Sequence, residues 1–313
     1  MRKIRPIRRV LSIGKSFLKA FRDLLLDGPA GFILRIQSIR LELMDFLVPG
    51  FYQRWAEDIE PETSELAAQE DASLRFKYQP LFSIITPVFN PGLDVFRRMV
   101  RSILDQTYRN WELCLANGST DPRVAAVIQD FQKQDPRIRS VSIRNIGIAG
   151  NSNAALEIAS GEYIVLIDHD DTVSPSLLFE AARVLNDDKS IDIINYDEDK
   201  ISEDNFRRSP FFKPRVVRIA RFFLENILTH CVLRRSLVLE AGRFNPDMDG
   251  AQDWDLFFRC IERTDRIVHI PKILYHWRMV PGSASLARSE KPYARAAQKK
   301  ARRQYIKRLR RGN

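Results

Sequence analysis

Tyr163-Ile164-Val165-Leu166-Ile167 is an apolar run followed at once by Asp168-His169-Asp170-Asp171. Bounded by Gly161 and by acids, such a run reads as a buried strand. Its end delivers three carboxylates to one edge of a sheet. Residues i and i+2 of a strand share a side, so Asp168 and Asp170 are expected to point together. Neighbouring carboxylates repel unless a cation or a shared proton neutralises them. A hard divalent ion with oxygen ligands, shared with a phosphorylated substrate, is the simplest neutraliser. The competing reading is a solvated acidic turn that caps a helix starting near Ser174.

The flanking sequence supplies the rest of an α/β domain starting near Gln79. Phe82 to Thr86 reads as a strand, 87–92 as a loop, and Leu93, Phe96, Met99, Val100, Ile103 and Leu104 recur at helical spacing. Trp111 to Leu115 is a second strand. Asp121-Pro122 opens a second helix with proline at its first position. Ile138–Ile143 and Ile191–Tyr196 read as further strands, and 149–159 as a helix between them. Strands alternating with helices predict a mostly parallel central sheet with helices on both faces. Ligands of such sheets bind beyond the carboxyl ends of the strands. The loops 87–92, 116–120 and 168–171 are therefore expected to converge on one crevice.

Several segments, in order, resemble family-two glycosyltransferases. They are Ser83-Ile84-Ile85-Thr86-Pro87-Val88-Phe89-Asn90, Ser102-Ile103-Leu104-Asp105-Gln106-Thr107-Tyr108, Asn117-Gly118-Ser119-Thr120-Asp121, the tetrad, Ala251-Gln252-Asp253-Trp254-Asp255-Leu256 and Tyr275-His276-Trp277-Arg278. The similarity covers about residues 80–285 and looks most like bacterial enzymes of O-antigen and other surface-polysaccharide synthesis. It implies the GT-A fold, a nucleotide-sugar donor, Mg²⁺ or Mn²⁺, and inverting transfer of a hexosyl or deoxyhexosyl group. By the same resemblance Asp170 and His276 are metal ligands, and Asp253 is the catalytic base. Pro87, Phe89, Asn90, Asn117, Asp168 and Arg278 then bind the donor. Pro281 to Ser285 is small enough to be a lid or a linker. Two departures stand out: Asn117 replaces an expected aspartate, and Asn151-Ser152-Asn153 replaces an Ala-Arg-Asn segment. Asp197-Glu198-Asp199 reads as the acceptor side or as a solvated strand end.

The 313 residues carry a net charge of +10, but unevenly. Residues 1–40 contribute +8 and 288–313 contribute +10, which leaves −8 for the middle. The expected organisation is a basic amphipathic helical extension (1–55), a linker (56–78), the catalytic domain (79–285) and a basic helical tail (286–313). Leu11, Phe17, Leu18, Phe21, Leu24 and Leu25 lie largely on one helical face, and Gly28-Pro29 breaks that helix. Basic ends suit an anionic membrane surface; the alternative is a helical pair packed on the domain. Cys114, Cys231 and Cys260 sit in apolar contexts, as buried thiols in a reducing compartment do. With no secretory leader or membrane span expected, the location is cytoplasmic or peripheral on the inner membrane face, and the acceptor a saccharide, lipid-linked if the ends bind membrane. Nucleic acid is not expected, because the positive charge avoids the body. A nucleotidyltransferase of similar fold, or a non-catalytic polyanion-binding relative, are the competing functions; Asp253 in its glutamine-flanked context argues against both.

Overall fold

The computed structural model describes residues 4–202, 204–215, 230–279 and 292–310. The Pro281–Ser285 segment and the start of the basic tail lie outside the described residues. Gly28 divides the first helix, α1 (Ile4–Leu47), with φ 70° and ψ −160°. Only glycine adopts that conformation readily, and Pro29 then suits the first turn of the second segment. Across the break, buried Asp23 accepts from Arg22 at 2.8 Å and from Arg35 at 2.7 Å. That pairing folds the two segments back on each other. Two shorter helices follow, α2 (Phe51–Ile59) and α3 (Thr63–Ser73). The stretch read as a linker is thus partly helical. Its acidic residues find partners: Glu70 pairs with Arg109 and Glu60 with Arg207. Gln69 accepts from Thr107 at 3.0 Å, and Phe76 stacks on Phe179.

The domain begins with β1 (Phe82–Val88), α4 (Leu93–Leu104), β2 (Trp111–Asn117), α5 (Pro122–Gln134), β3 (Ile138–Ser142), α6 (Gly147–Glu157) and β4 (Tyr163–Leu166). It continues with β5 (Thr172–Val173), α7 (Leu177–Asp187), β6 (Ile193–Ile201), β7 (Arg207–Phe211), β8 (Cys231–Arg234), α8 (Arg235–Glu240), α9 (Gln252–Ile261), β9 (Ile267–Arg278) and α10 (Pro292–Leu309). The nine strands form one sheet in the order β3-β2-β1-β4-β8-β6-β9-β5, with β7 paired to β6. β1 to β4 run parallel, and β6 and β9 share their direction. β8 enters antiparallel between β4 and β6, and β5 and β7 are also antiparallel to their neighbours. The sequence reading did not find these short strands, because segments of two to five residues carry too little periodicity.

Alternation along each strand builds two cores. Phe82, Ile84, Trp111, Leu113, Tyr163 and Val165 face α4, α5 and α7. Ile85, Cys114, Ala116 and Ile164 face α6, α9 and α10. All three cysteines are buried free thiols. Gly161 leads into β4 where a Cβ would sit 2.6 Å from the Leu81 carbonyl oxygen. Its N–H instead donates to Ser83 Oγ at 2.8 Å, so glycine lets β4 close onto β1.

Candidate active site

The three loops expected to converge do so by explicit bonds. Asn90, at φ 44°, accepts from the backbone of Thr120 and Asp121 at 3.0 and 3.2 Å. Its own N–H donates to Ser119 Oγ at 2.9 Å. Asn117 is buried at the end of β2 and accepts from Ser119 N–H at 3.0 Å. Pro87 receives His169 Nδ1 on its carbonyl oxygen at 3.0 Å. This ties the β1 loop to the tetrad and makes His169 a brace. Phe89 stays 43% exposed at the mouth.

The tetrad is a turn and not a strand continuation. β4 ends at Leu166, and Asp171 N–H reaches the Asp168 carbonyl at 3.3 Å. Residues i and i+3 therefore approach, where the strand pattern pairs Asp168 with Asp170. Asp171 is fully buried and accepts from Tyr275 OH at 2.6 Å and from Arg278 N–H at 2.7 Å. Arg278 is buried too, donating to the Asp170 carbonyl at 2.8 Å and to Asn205 at 2.8 Å. It holds the tetrad loop from behind. His276 lies on β9 and binds Asp199 at 2.7 Å.

One atom from each of Asp168, Asp171 and His230 fit within 4.8 Å of one another, close enough to share an ion. Asp170 and His276 are not in that group. No lysine or arginine among the described residues forms an ion pair with a tetrad carboxylate. Burial, followed by the charges of Asp170 and Asp168, holds the Asp171 carboxyl well above the usual range. Burial also raises Asp170, against the pull of His169 and with the push of Asp168. The donor set fits a divalent cation: carboxylate oxygens with one imidazole, on a loop whose three carboxylates form no ion pair among the described residues and feel the Arg278 charge only at longer range.

The crevice beside this group is lined by Pro87, Ile148, Ser152, Asp168, His230 and Asp253, among others. Asp253 stands in the first turn of α9. Burial pushes its carboxyl up to about 6; the Trp254 N–H and His230 oppose that and Asp168 adds to it. Two contacts place this turn. Asn153 exchanges bonds with the Phe244 backbone at 2.8 and 3.0 Å, and Asp249 accepts from Ala149 N–H at 3.0 Å. Asn153, within the segment that departs from the family pattern, thus anchors the Phe244 backbone upstream of α9, the helix that carries Asp253. Sequence reasoning passed over His230, which lies outside every matched motif, and over Tyr275 as a partner of Asp171.

Comparison with known proteins bears on this arrangement. The family model described as Glycosyl transferase family 2 matches residues 83–240. The protein y4gI of Sinorhizobium fredii, described as uncharacterized, is 41% identical over 238 residues, covering 75% of this chain and 26% of that protein. The O-antigen biosynthesis protein RfbC of Myxococcus xanthus is 31% identical over 245 residues, 75% of this chain and 18% of the relative. The chain spans about a quarter or less of these two relatives. The crystal structure of S. aureus TarS 1–349 in complex with UDP-GlcNAc matches with a TM-score of 0.55 at 21% identity, over 66% of this chain and 61% of that one. At that identity the likeness is one of fold, the GT-A type.

Proposed function

Since this chain belongs to Glycosyl transferase family 2, we propose that it moves a hexosyl or deoxyhexosyl group from a nucleotide diphosphate to a saccharide, with inversion, during surface-polysaccharide synthesis. One observation carries the reading: the fold brings Asp253 into the same crevice as Asp168, far apart in sequence. Asp168 stands at the carboxyl end of a parallel strand, where donor phosphates bind in sheets of this kind. Asn117, Asn90, Pro87 and Phe89 frame the nucleotide end. A divalent ion bound at the tetrad would draw charge from the leaving diphosphate. Asp253 takes the proton of the acceptor hydroxyl. A base near 6 is ionised at neutral pH and still basic enough to accept a proton in the transition state. Arg278 fixes the tetrad loop, a positioning role.

The N-terminal helix supports a lipid-linked acceptor at the inner membrane face. Leu18, Phe21 and Leu25 are 74%, 64% and 85% exposed on one helical stripe, while residues 1–22 hold basic side chains and no acid. No helix among the described residues is long and apolar enough to cross a membrane, so the stripe suits an interface. Flotation with phosphatidylglycerol vesicles, weakened in Leu25→Glu, tests that part; equal flotation of both forms would remove it. A thermal-shift panel of nucleotide sugars with and without Mn²⁺ tests the catalytic reading. One donor should raise melting only with the metal, and Asp168→Ala should abolish the shift. A panel with no stabilising donor counts against the proposal.

A further inference from the structure

Four histidines occur in the chain, and three are paired with three consecutive acids of β6. His269 binds Asp197 at 2.9 Å, His230 binds Glu198 at 3.0 Å and His276 binds Asp199 at 2.7 Å. Only His230 also borders the tetrad. Its ring is 5% exposed and stacks on Tyr275 at 3.6 Å with 11° between planes. Tyr275 in turn bonds Asp171, so one aromatic platform sets both groups. Nδ1 is spent on Glu198, whose other partner is Lys213, fully buried, at 2.9 Å. Among the described residues nothing bonds the other ring nitrogen, and the ring lines the crevice. Among those residues, too, no side-chain bond engages the Asp168 carboxylate.

We propose that His230, and not His276, is the histidine of the divalent-metal site, presenting Nε2 to an ion shared with Asp168 and Asp171, and that Glu198 with Lys213 is its positioning pair. The inference rests on the metal-dependent reading above and specifies its ligands. The chemistry is that of a metal-bound imidazole whose remote nitrogen is held by a carboxylate. That contact fixes the tautomer and the ring angle, and its loss costs on the order of 10–100-fold in metal affinity. Lys213 keeps Glu198 ionised as an acceptor inside the fold. His276 pairs with Thr172 at the end of the tetrad turn, but its ring bonds Asp199, which also engages Tyr52 and Arg207, and it is not grouped with Asp168 and Asp171.

The test uses the full chain and Mn²⁺ alone, read by electron paramagnetic resonance. Free ion gives the affinity, and nitrogen modulation of the bound ion reports the imidazole. His276→Asn should keep the nitrogen signal. His230→Asn and His230→Gln should lose it and bind roughly tenfold weaker or worse. Glu198→Gln should keep the signal with weakened affinity. Unchanged circular dichroism in these variants separates ligation from folding. Nitrogen modulation that survives His230→Asn, or vanishes in His276→Asn, overturns the assignment. Bound Mn²⁺ with no nitrogen signal in the unaltered protein overturns it while leaving the metal-dependent reading intact. No binding at all sinks both. Unchanged affinity in Glu198→Gln overturns the positioning role.

Discussion

The chain has two acid-rich stretches, and they behave in opposite ways. Asp168 to Asp171 ends β4, and Asp197 to Asp199 runs along β6. On paper the two look alike. In the fold, every acid of the β6 run is buried with a histidine, and two also meet cations: Glu198 with Lys213 and Asp199 with Arg207. The β6 run is a charge-balanced part of the interior, where the sequence suggested an acceptor surface or solvated end. The tetrad carboxylates have no ion pair among the described residues, only neutral donors such as Tyr275 OH and the Arg278 N–H. The difference is one of supply. Arg207 of β7 and Lys213 just beyond it bring cations to one stretch, His269 and His276 of β9 and His230 add imidazoles, and the tetrad is left without an ion pair among the described residues.

Substitutions can break this contrast. The largest expected effect is on chemistry: Asp253→Asn should cut transfer by about 10²–10⁴-fold while donor-dependent melting stays. Retained transfer would remove Asp253 from the mechanism. Next comes folding. Asp199→Ala removes the acceptor that Tyr52, Arg207 and His276 share and leaves Arg207 only Glu60, and breaking such a buried pair costs about 3–5 kcal/mol, read by denaturant unfolding. Asp168→Asn should do the reverse, leaving metal-free stability within about 1 kcal/mol of the parent because it relieves like-charge repulsion, yet abolishing the Mn²⁺-dependent donor shift. Matching stability losses in both variants would erase the distinction between the two stretches.

Acidity should also separate them. In kcat/KM the rising limb belongs to Asp253 and should fall about tenfold per pH unit below about 6. For stability the signs oppose. Asp253 has its folded pKa raised from 3.8 to about 6, so its contribution is present at low pH and lost as pH rises through that window. Glu198 is depressed from 4.5 to about 2 despite burial, by Lys213 and His230, so its contribution is held above 4.5 and lost as pH falls toward 2. Between pH 3 and 7 the difference in unfolding free energy from the parent should therefore change with pH in opposite directions, Asp253→Asn gaining on the parent as pH rises toward about 6 and Glu198→Gln falling behind it as pH rises toward 4.5. Parallel curves would contradict the assigned environments.

Much of the first half was legible in order. Apolar runs at strand length and helical spacing from Leu93 to Leu104 translate directly into β1, α4, β2 and β4, because local burial sets those patterns. The tetrad and Asp253 stood out as carboxylates at element ends. His230 did not, since its value lies in a stack on Tyr275 and a bond to Glu198, both remote in sequence. Arg278 was expected to bind the donor, on the resemblance of its segment; the turn at 168–171 adds that it holds that loop. The stretch at 63–73 looked like a linker because it lacks large apolar residues, yet it docks through Gln69 and Glu70.

Without coordinates, the chain already marks an α/β domain of Glycosyl transferase family 2 with two basic ends, the first of them amphipathic, and the carboxylates that could do chemistry. Residue types and spacing suffice for that, since both act over a few neighbours. Only the tertiary structure decided which acids are neutralised and which are not. Charge balance inside a protein depends on partners that pairing of distant strands brings within about 3 Å, and no local pattern records them.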